Sequence, residues 1–183
     1  MNRVVSVVSL AAIVVLAACG AASTPRAGAH ARTPIRSWDE ETFGPLQLGM
    51  NGERVIAALG EPDRRTEFVE MAATGERIAE WSWPARGVSI SMVDGPDGPT
   101  LASLTLSAPS DLRGAFGGVG LGSTRAEVLA AYAALPSGPD DVPRDDPETP
   151  DLVRFGNLYA CLSFRLSDDG RVISIFSGST GAE

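Results

Sequence analysis

The sequence predicts an α+β domain of two tandem repeats, each a short helical segment packed on one face of an antiparallel β-sheet. Three observations lead there. Leu48-Gly49-Met50-Asn51-Gly52-Glu53-Arg54-Val55-Ile56-Ala57-Ala58-Leu59-Gly60 aligns with Leu121-Gly122-Ser123-Thr124-Arg125-Ala126-Glu127-Val128-Leu129-Ala130-Ala131-Tyr132-Ala133 at an offset of 73 residues. Strand-like alternation of apolar and polar residues follows each run. Leu101 to Leu106 and Val172 to Ser177 then correspond at an offset of 71, so self-similarity extends beyond the helix.

The chain opens with Arg3, an apolar stretch from Val4 to Leu16, and Leu16-Ala17-Ala18-Cys19-Gly20. A basic start, a short apolar run and small residues at the cut define a signal peptide. The run falls short of the roughly 20 residues needed to cross a bilayer. A secretory signal cut at the alanines and a retained membrane helix are the competing readings. The pattern resembles the bacterial lipobox. That resemblance implies residues 1–18 as signal peptide, cleavage before Cys19, lipidation of its sulfur and a place on the extracytoplasmic side of a bacterial cell or outer membrane. With each buried CH₂ contributing about 0.8 kcal/mol, two or three acyl chains make a durable anchor.

Residues 19–37 are rich in Ala, Gly, Ser, Thr and Pro, and carry Arg26, Arg32 and Arg36 with no acid. They read as a flexible tether spanning about 25 Å. Residues 38–183 form the globular part, with repeats at about 44–110 and 115–180. This part holds 23 acids against 11 arginines, a formal charge of −12. So acidic a domain is a poor partner for nucleic acid or for close contact with anionic lipid.

Within the first repeat, Asn51 is placed to cap a helix that Gly60 and Pro62 end. Ala79, Trp81 and Trp83 then alternate with Glu80 and Ser82, Val88, Ile90 and Met92 with Ser89 and Ser91, and Ala102, Leu104 and Leu106 with Ser103 and Thr105. Asp94-Gly95-Pro96-Asp97-Gly98 supplies a turn between the last two. In the second repeat Thr124 and Glu127 form a capping box. Leu158, Ala160, Leu162, Phe164 and Leu166 share a face, and Asp168-Asp169-Gly170 turns the chain into Val172 to Ser177.

The Leu-Gly-Met-x-x-x-x-Val-x-x-x-Leu-Gly-x-Pro run, the Trp-x-Trp of Trp81 and Trp83 and the following Asp/Gly hairpin resemble the SmpA/OmlA (BamE-like) outer-membrane-assembly lipoproteins. Two such units in tandem are similar to the β-lactamase inhibitor protein fold. The resemblance implies a short helical pair on one sheet face, with the opposite face free to bind protein.

Catalytic groups are sparse. His30, the sole histidine, lies in the tether, which removes Ser/His and Cys/His dyads from the folded part. Gly117-Gly118-Val119-Gly120-Leu121-Gly122-Ser123-Thr124 looks like a phosphate loop, but the chain has no lysine to complete it. No catalytic residue, metal site or cofactor is expected. An acid pair drawn from Glu67, Glu70, Glu76 and Glu80 is the enzymatic alternative. Ser137 to Asp151 combines acids and prolines without an EF-hand spacing, and reads as a solvated, mobile loop.

Trp81 and Trp83 share a strand face, either in the core or as an aromatic patch. Tyr159, Cys161, Ser163 and Arg165 fall opposite the apolar face and form the candidate protein-binding surface. With Cys19 lipidated, Cys161 is a lone thiol on that surface. The function expected is a non-enzymatic lipoprotein, anchored through Cys19, that binds a protein in the cell envelope or serves as a scaffold there. An inhibitor of an extracytoplasmic enzyme is the first alternative. A binder of small molecules or cell-wall fragments, in a crevice between the repeats, is the second.

Overall fold

The computed structural model describes residues 36–179. The signal peptide, Cys19 and nearly all of the tether lie outside the described residues.

After a 3-10 turn at Trp38–Glu40 come a two-stranded hairpin, β1 (Thr42–Phe43) and β2 (Leu46–Gln47), and helix α1 (Gly52–Leu59). Two short strands, β3 (Arg64–Arg65) and β4 (Val69–Glu70), precede the long strands β5 (Arg77–Trp83), β6 (Val88–Val93) and β7 (Thr100–Ser107). Helix α2 (Arg125–Ala131), β8 (Leu152–Gly156), β9 (Ala160–Leu166) and β10 (Val172–Ser179) complete the order. Apart from the hairpin, the strands form one antiparallel eight-stranded sheet in the order β3-β5-β6-β7-β10-β9-β8, with β4 also pairing β5. The architecture is α+β. Among the described residues no helix is long and apolar enough to cross a membrane.

Local signals set both helices. Asn51 Oδ1 accepts from Arg54 N–H at 2.9 Å, and α1 ends at Gly60, whose φ of +82° favours glycine. Thr124 and Glu127 close the capping box that starts α2.

Each helix entry is strapped to one of the two central strands. Gly49 N–H donates to Leu101 O, Leu101 N–H to Met50 O and Gly52 N–H to Pro99 O, each at 2.8 Å. At the other helix Gly122 N–H donates to Val172 O and Val172 N–H to Ser123 O, both at 2.8 Å, and Arg125 N–H donates to Gly170 O at 3.1 Å. α1 is thereby fixed to β7, and α2 to β10.

Period-two alternation puts Trp81, Trp83, Ile90, Leu104, Leu106, Leu162, Phe164 and Ile175 on one sheet face, where all are buried. Phe43 and Leu46 of the hairpin, Val55 of α1, Val119, and Val128 of α2 join the same core. Tyr132, Phe155 and Phe164 form an aromatic cluster with ring centroids 5.1 to 6.3 Å apart. Burying a side chain of this size contributes about 1.5–3 kcal/mol.

One charged group sits inside this layer. Glu41 is buried, and its Oε1 accepts from the backbone N–H groups of Thr42 at 2.9 Å and Ala115 at 2.7 Å. Its Oε2 accepts from the Tyr132 hydroxyl at 2.6 Å. Three distant segments thus meet on one carboxylate. Gly114 passes so close that a Cβ there would lie 2.9 Å from the Tyr132 hydroxyl and 3.1 Å from Glu41 Oε2.

The β8–β9 connection departs from the sequence expectation. Leu158 is exposed and does not share the core face of Leu162. Asn157 Oδ1 accepts from the N–H groups of Tyr159 and Ala160, at 2.8 and 2.9 Å, so Leu158 lies in a side-chain-closed turn and the strand starts at Ala160.

Burial first, then Glu41's charge and hydrogen bond, hold the Tyr132 phenol well above its ordinary pKa of 10.0. Below about pH 10 the full stabilisation is present. Above it the unfolded chain releases the phenolic proton while the folded chain keeps it, so stability falls as pH rises. Tyr132→Phe is expected to flatten this alkaline limb and to cost about 1–3 kcal/mol near neutrality, because Glu41 Oε2 is left buried without its donor. Urea denaturation from pH 7 to 11 measures both effects.

Candidate functional site

The alternation that fills the core leaves the other sheet face to hydroxyls. Register carries it in rows across the strands. Arg64, Ser82, Ser89, Thr105, Phe176, Ser163 and Arg154 lie in one row, from β3 to β8. Glu80, Ser91, Ser103, Gly178, Cys161 and Gly156 lie in the next. α1, α2 and the β1–β2 hairpin pack on the opposite face with the inward side chains of the core, while at the β8–β9 end of this face Cys161 is nevertheless enclosed.

The sequence-predicted surface residues separate here. Ser163 and Arg165 stand on this open face of β9, paired with Phe176 and Ser174 of β10. Tyr159 is 73% exposed but belongs to the turn before β9. Cys161 is not exposed: it is only 1% accessible, enclosed with Arg154 and Ser163 beside its thiol. Burial raises the pKa of that thiol, against the lowering effect of Arg154 and of a Ser163 hydrogen bond. Trp81 and Trp83 are both buried. Arg65 stacks 4.3 Å over the Trp81 ring, and Trp83 Nε1–H donates to the carbonyls of Gly60 and Glu61 at 3.2 and 3.1 Å. They are core residues, not a patch.

The organised part of the open face is its β5–β6–β7 half. The Ser103 hydroxyl donates to Ser91 Oγ at 2.9 Å, and the Ser91 hydroxyl donates to Glu80 Oε1 at 2.5 Å. Glu80 N–H donates to Thr66 Oγ1 at 2.9 Å, which ties the carboxylate's backbone to the loop before β4. Above this chain lies a groove of about 380 Å³ lined by Ile78, Glu80, Val93, Ser103, Thr105 and Phe176, among others. The alternation at Ser91, Ser103 and Thr105 was readable in the sequence. That β10 would bring Phe176 beside Thr105 was not, because it depends on a pairing between strands some seventy residues apart.

Of the acids considered as a catalytic pair, Glu80 is held by a serine hydroxyl, not by a second carboxylate. Among the described residues no group of three His, Cys, Asp or Glu is placed to hold a metal. The acidic segment is tied down at two points. Arg125 pairs with Asp145 and donates to Pro150 O, while Arg144 donates to Leu135 O and, at 2.9 Å, to Ser137 Oγ. The glycine-rich run has local structural reasons: a Cβ at Gly117 would collide with Ala131 of α2, and Gly118 and Gly122 adopt φ of +65° and +82°. Nor is there a crevice between two sheets, since β7 and β10 pair from Ser103 to Ser107 and make one sheet.

Comparison with protein-family models, with curated proteins and with solved structures gives no match for this chain.

The enclosed Cys161 thiol predicts slow alkylation. Mass mapping of iodoacetamide-treated native protein is expected to find Cys161 unmodified under conditions that fully label it in denaturant. Equal labelling in both would contradict its burial.

Proposed function

We propose that this chain is a lipid-anchored module of the bacterial envelope, non-enzymatic, that docks a protein on the open face of its sheet. The observation that carries the reading is the asymmetry of the sheet. One face is sealed by a core that includes Trp81, Leu106 and Phe164, while the other keeps Ser89, Thr105, Ser163 and Phe176 in one row with no helix over it. On that face Phe176 and Arg165 supply the aromatic and arginine side chains enriched at protein interfaces, with hydroxyls around them to hydrogen-bond a partner.

The platform is read as two BamE-like units in tandem. The matching straps support this, since Gly49–Leu101 and Gly122–Val172 repeat the helix offset of 73 and the strand offset of 71. In this reading each unit contributes one helix and one group of long strands, and the units join edge to edge through β7 and β10. Lipidated Cys19 and a tether of about 25 Å would hold the platform near a membrane surface.

Two measurements in the native host membranes test the proposal. A photo-crosslinking residue at Thr105 is expected to capture protein, whereas one at Glu53, on the exposed side of α1, is not; capture from Glu53 alone would overturn the choice of face. Cys19→Ser is expected to move the protein from the membrane to the soluble fraction. Retention of that variant in the membrane would contradict lipid anchoring.

A further inference from the structure

The groove over the Glu80 serine chain points to a particular partner chemistry. Its charged lining groups are both acids, Glu76 and Glu80. Among the described residues neither has a cation within ion-pair distance, although eleven arginines are distributed over residues 38–183. Arg77, their neighbour in sequence, is engaged elsewhere: its guanidinium pairs with Asp94 at 2.6 Å and lies 5.7 Å from the centre of the Phe68 ring. Among the described residues no arginine is therefore paired with either acid of this groove.

The walls supply a different surface. Ile78 and Val93 are cross-strand partners on β5 and β6, and Phe176 stands across the groove next to Thr105. An aliphatic wall beside a carboxylate is what a long basic side chain needs: packing for the methylenes and an anion for the head. The Ser103-to-Ser91-to-Glu80 chain fixes the carboxylate by donating to Oε1 and leaves Oε2 with no hydrogen bond among the described residues. That oxygen can accept from an incoming donor.

We propose that this groove receives an arginine or lysine side chain of the docked protein, with Glu80 as its counter-ion and Ile78 and Val93 as the surface on which its methylenes pack. The assignment rests on the open-face reading and names the chemistry that face selects. An acidic domain that recruits a basic segment also gains association rate from its overall field.

The test uses the full-length, lipidated chain in nanodiscs, with methyl NMR signals of Ile78 and Val93 as reporters. The probes are capped Gly-Gly-Arg-Gly-Gly and the same peptide with citrulline in place of arginine. The arginine peptide is expected to shift both methyl groups in a saturable manner, and the citrulline peptide, equal in shape but uncharged, to leave them unmoved. Glu80→Gln keeps an acceptor for Ser91 and so preserves the fold, but is expected to weaken arginine binding about two- to fivefold, the range of an exposed ion pair.

Equal shifts by both peptides, no shift by either, or undiminished binding to Glu80→Gln would overturn the assignment. If these outcomes arise while Thr105 still captures protein in membranes, the open-face reading stands and only the groove chemistry is wrong. Saturable arginine binding without any capture from Thr105 overturns the protein partner and leaves a site for free cations.

Discussion

The hydrogen bonds between β7 and β10 join two lengths of chain that would otherwise form separate sheets, and everything on either face follows from their register. Leu106 lies beside Ile175 and Leu104 beside Ser177 on the covered side, while Thr105 lies beside Phe176 on the open side. Slippage by one residue would turn every side chain of one half to the wrong face. Gly178 is part of this constraint. Its φ of +136° and the closeness of Ala102 O and Ser103 leave no room for a Cβ, so only glycine lets β10 close against β7 there. The straps from Gly49 and Gly122 then carry the register outward to α1 and α2.

A sheet with one open face needs its other face sealed, and the buried Glu41 helps to hold that seal. Its carboxylate gathers the backbone at Thr42 and Ala115 and the Tyr132 hydroxyl just beyond α2. A buried charge is expensive to desolvate and is tolerated only when its acceptor sites are filled. Moving the hairpin or the loop after β7 would leave this buried carboxylate without one of its donors, which is costly.

Legibility in the sequence tracked how local each signal was. Asn51 and the Thr124–Glu127 box mark both helix starts within four residues, and the alternations at Ala79–Trp83, Val88–Met92 and Ala102–Leu106 reveal three of the long strands. The strand Leu152–Gly156 was not foreseen, because it is short and follows the acidic, proline-rich stretch. β1 to β4 have two residues each, too few to show a period. Glu41 carried no sequence signal, since its partners lie 74 and 91 residues away. The candidate surface divided in the same way: alternation placed Ser163 and Arg165 correctly on β9, but it could not report the enclosure of Cys161 or the turn that Asn157 imposes on Leu158 and Tyr159. The Glu80 serine chain spans three strands and becomes visible only once their register is known.

Native-state hydrogen exchange at the β7–β10 seam tests the central claim that two halves act as one platform. The account predicts that the seam amides of residues 103–107 and 174–178 that are hydrogen-bonded exchange only through global unfolding, with the same free energy and urea dependence as the most protected amides of β6 and β9. Exchange of the seam through a smaller opening, with β5–β6 and β8–β9 still protected, would show two halves that part independently and would contradict it.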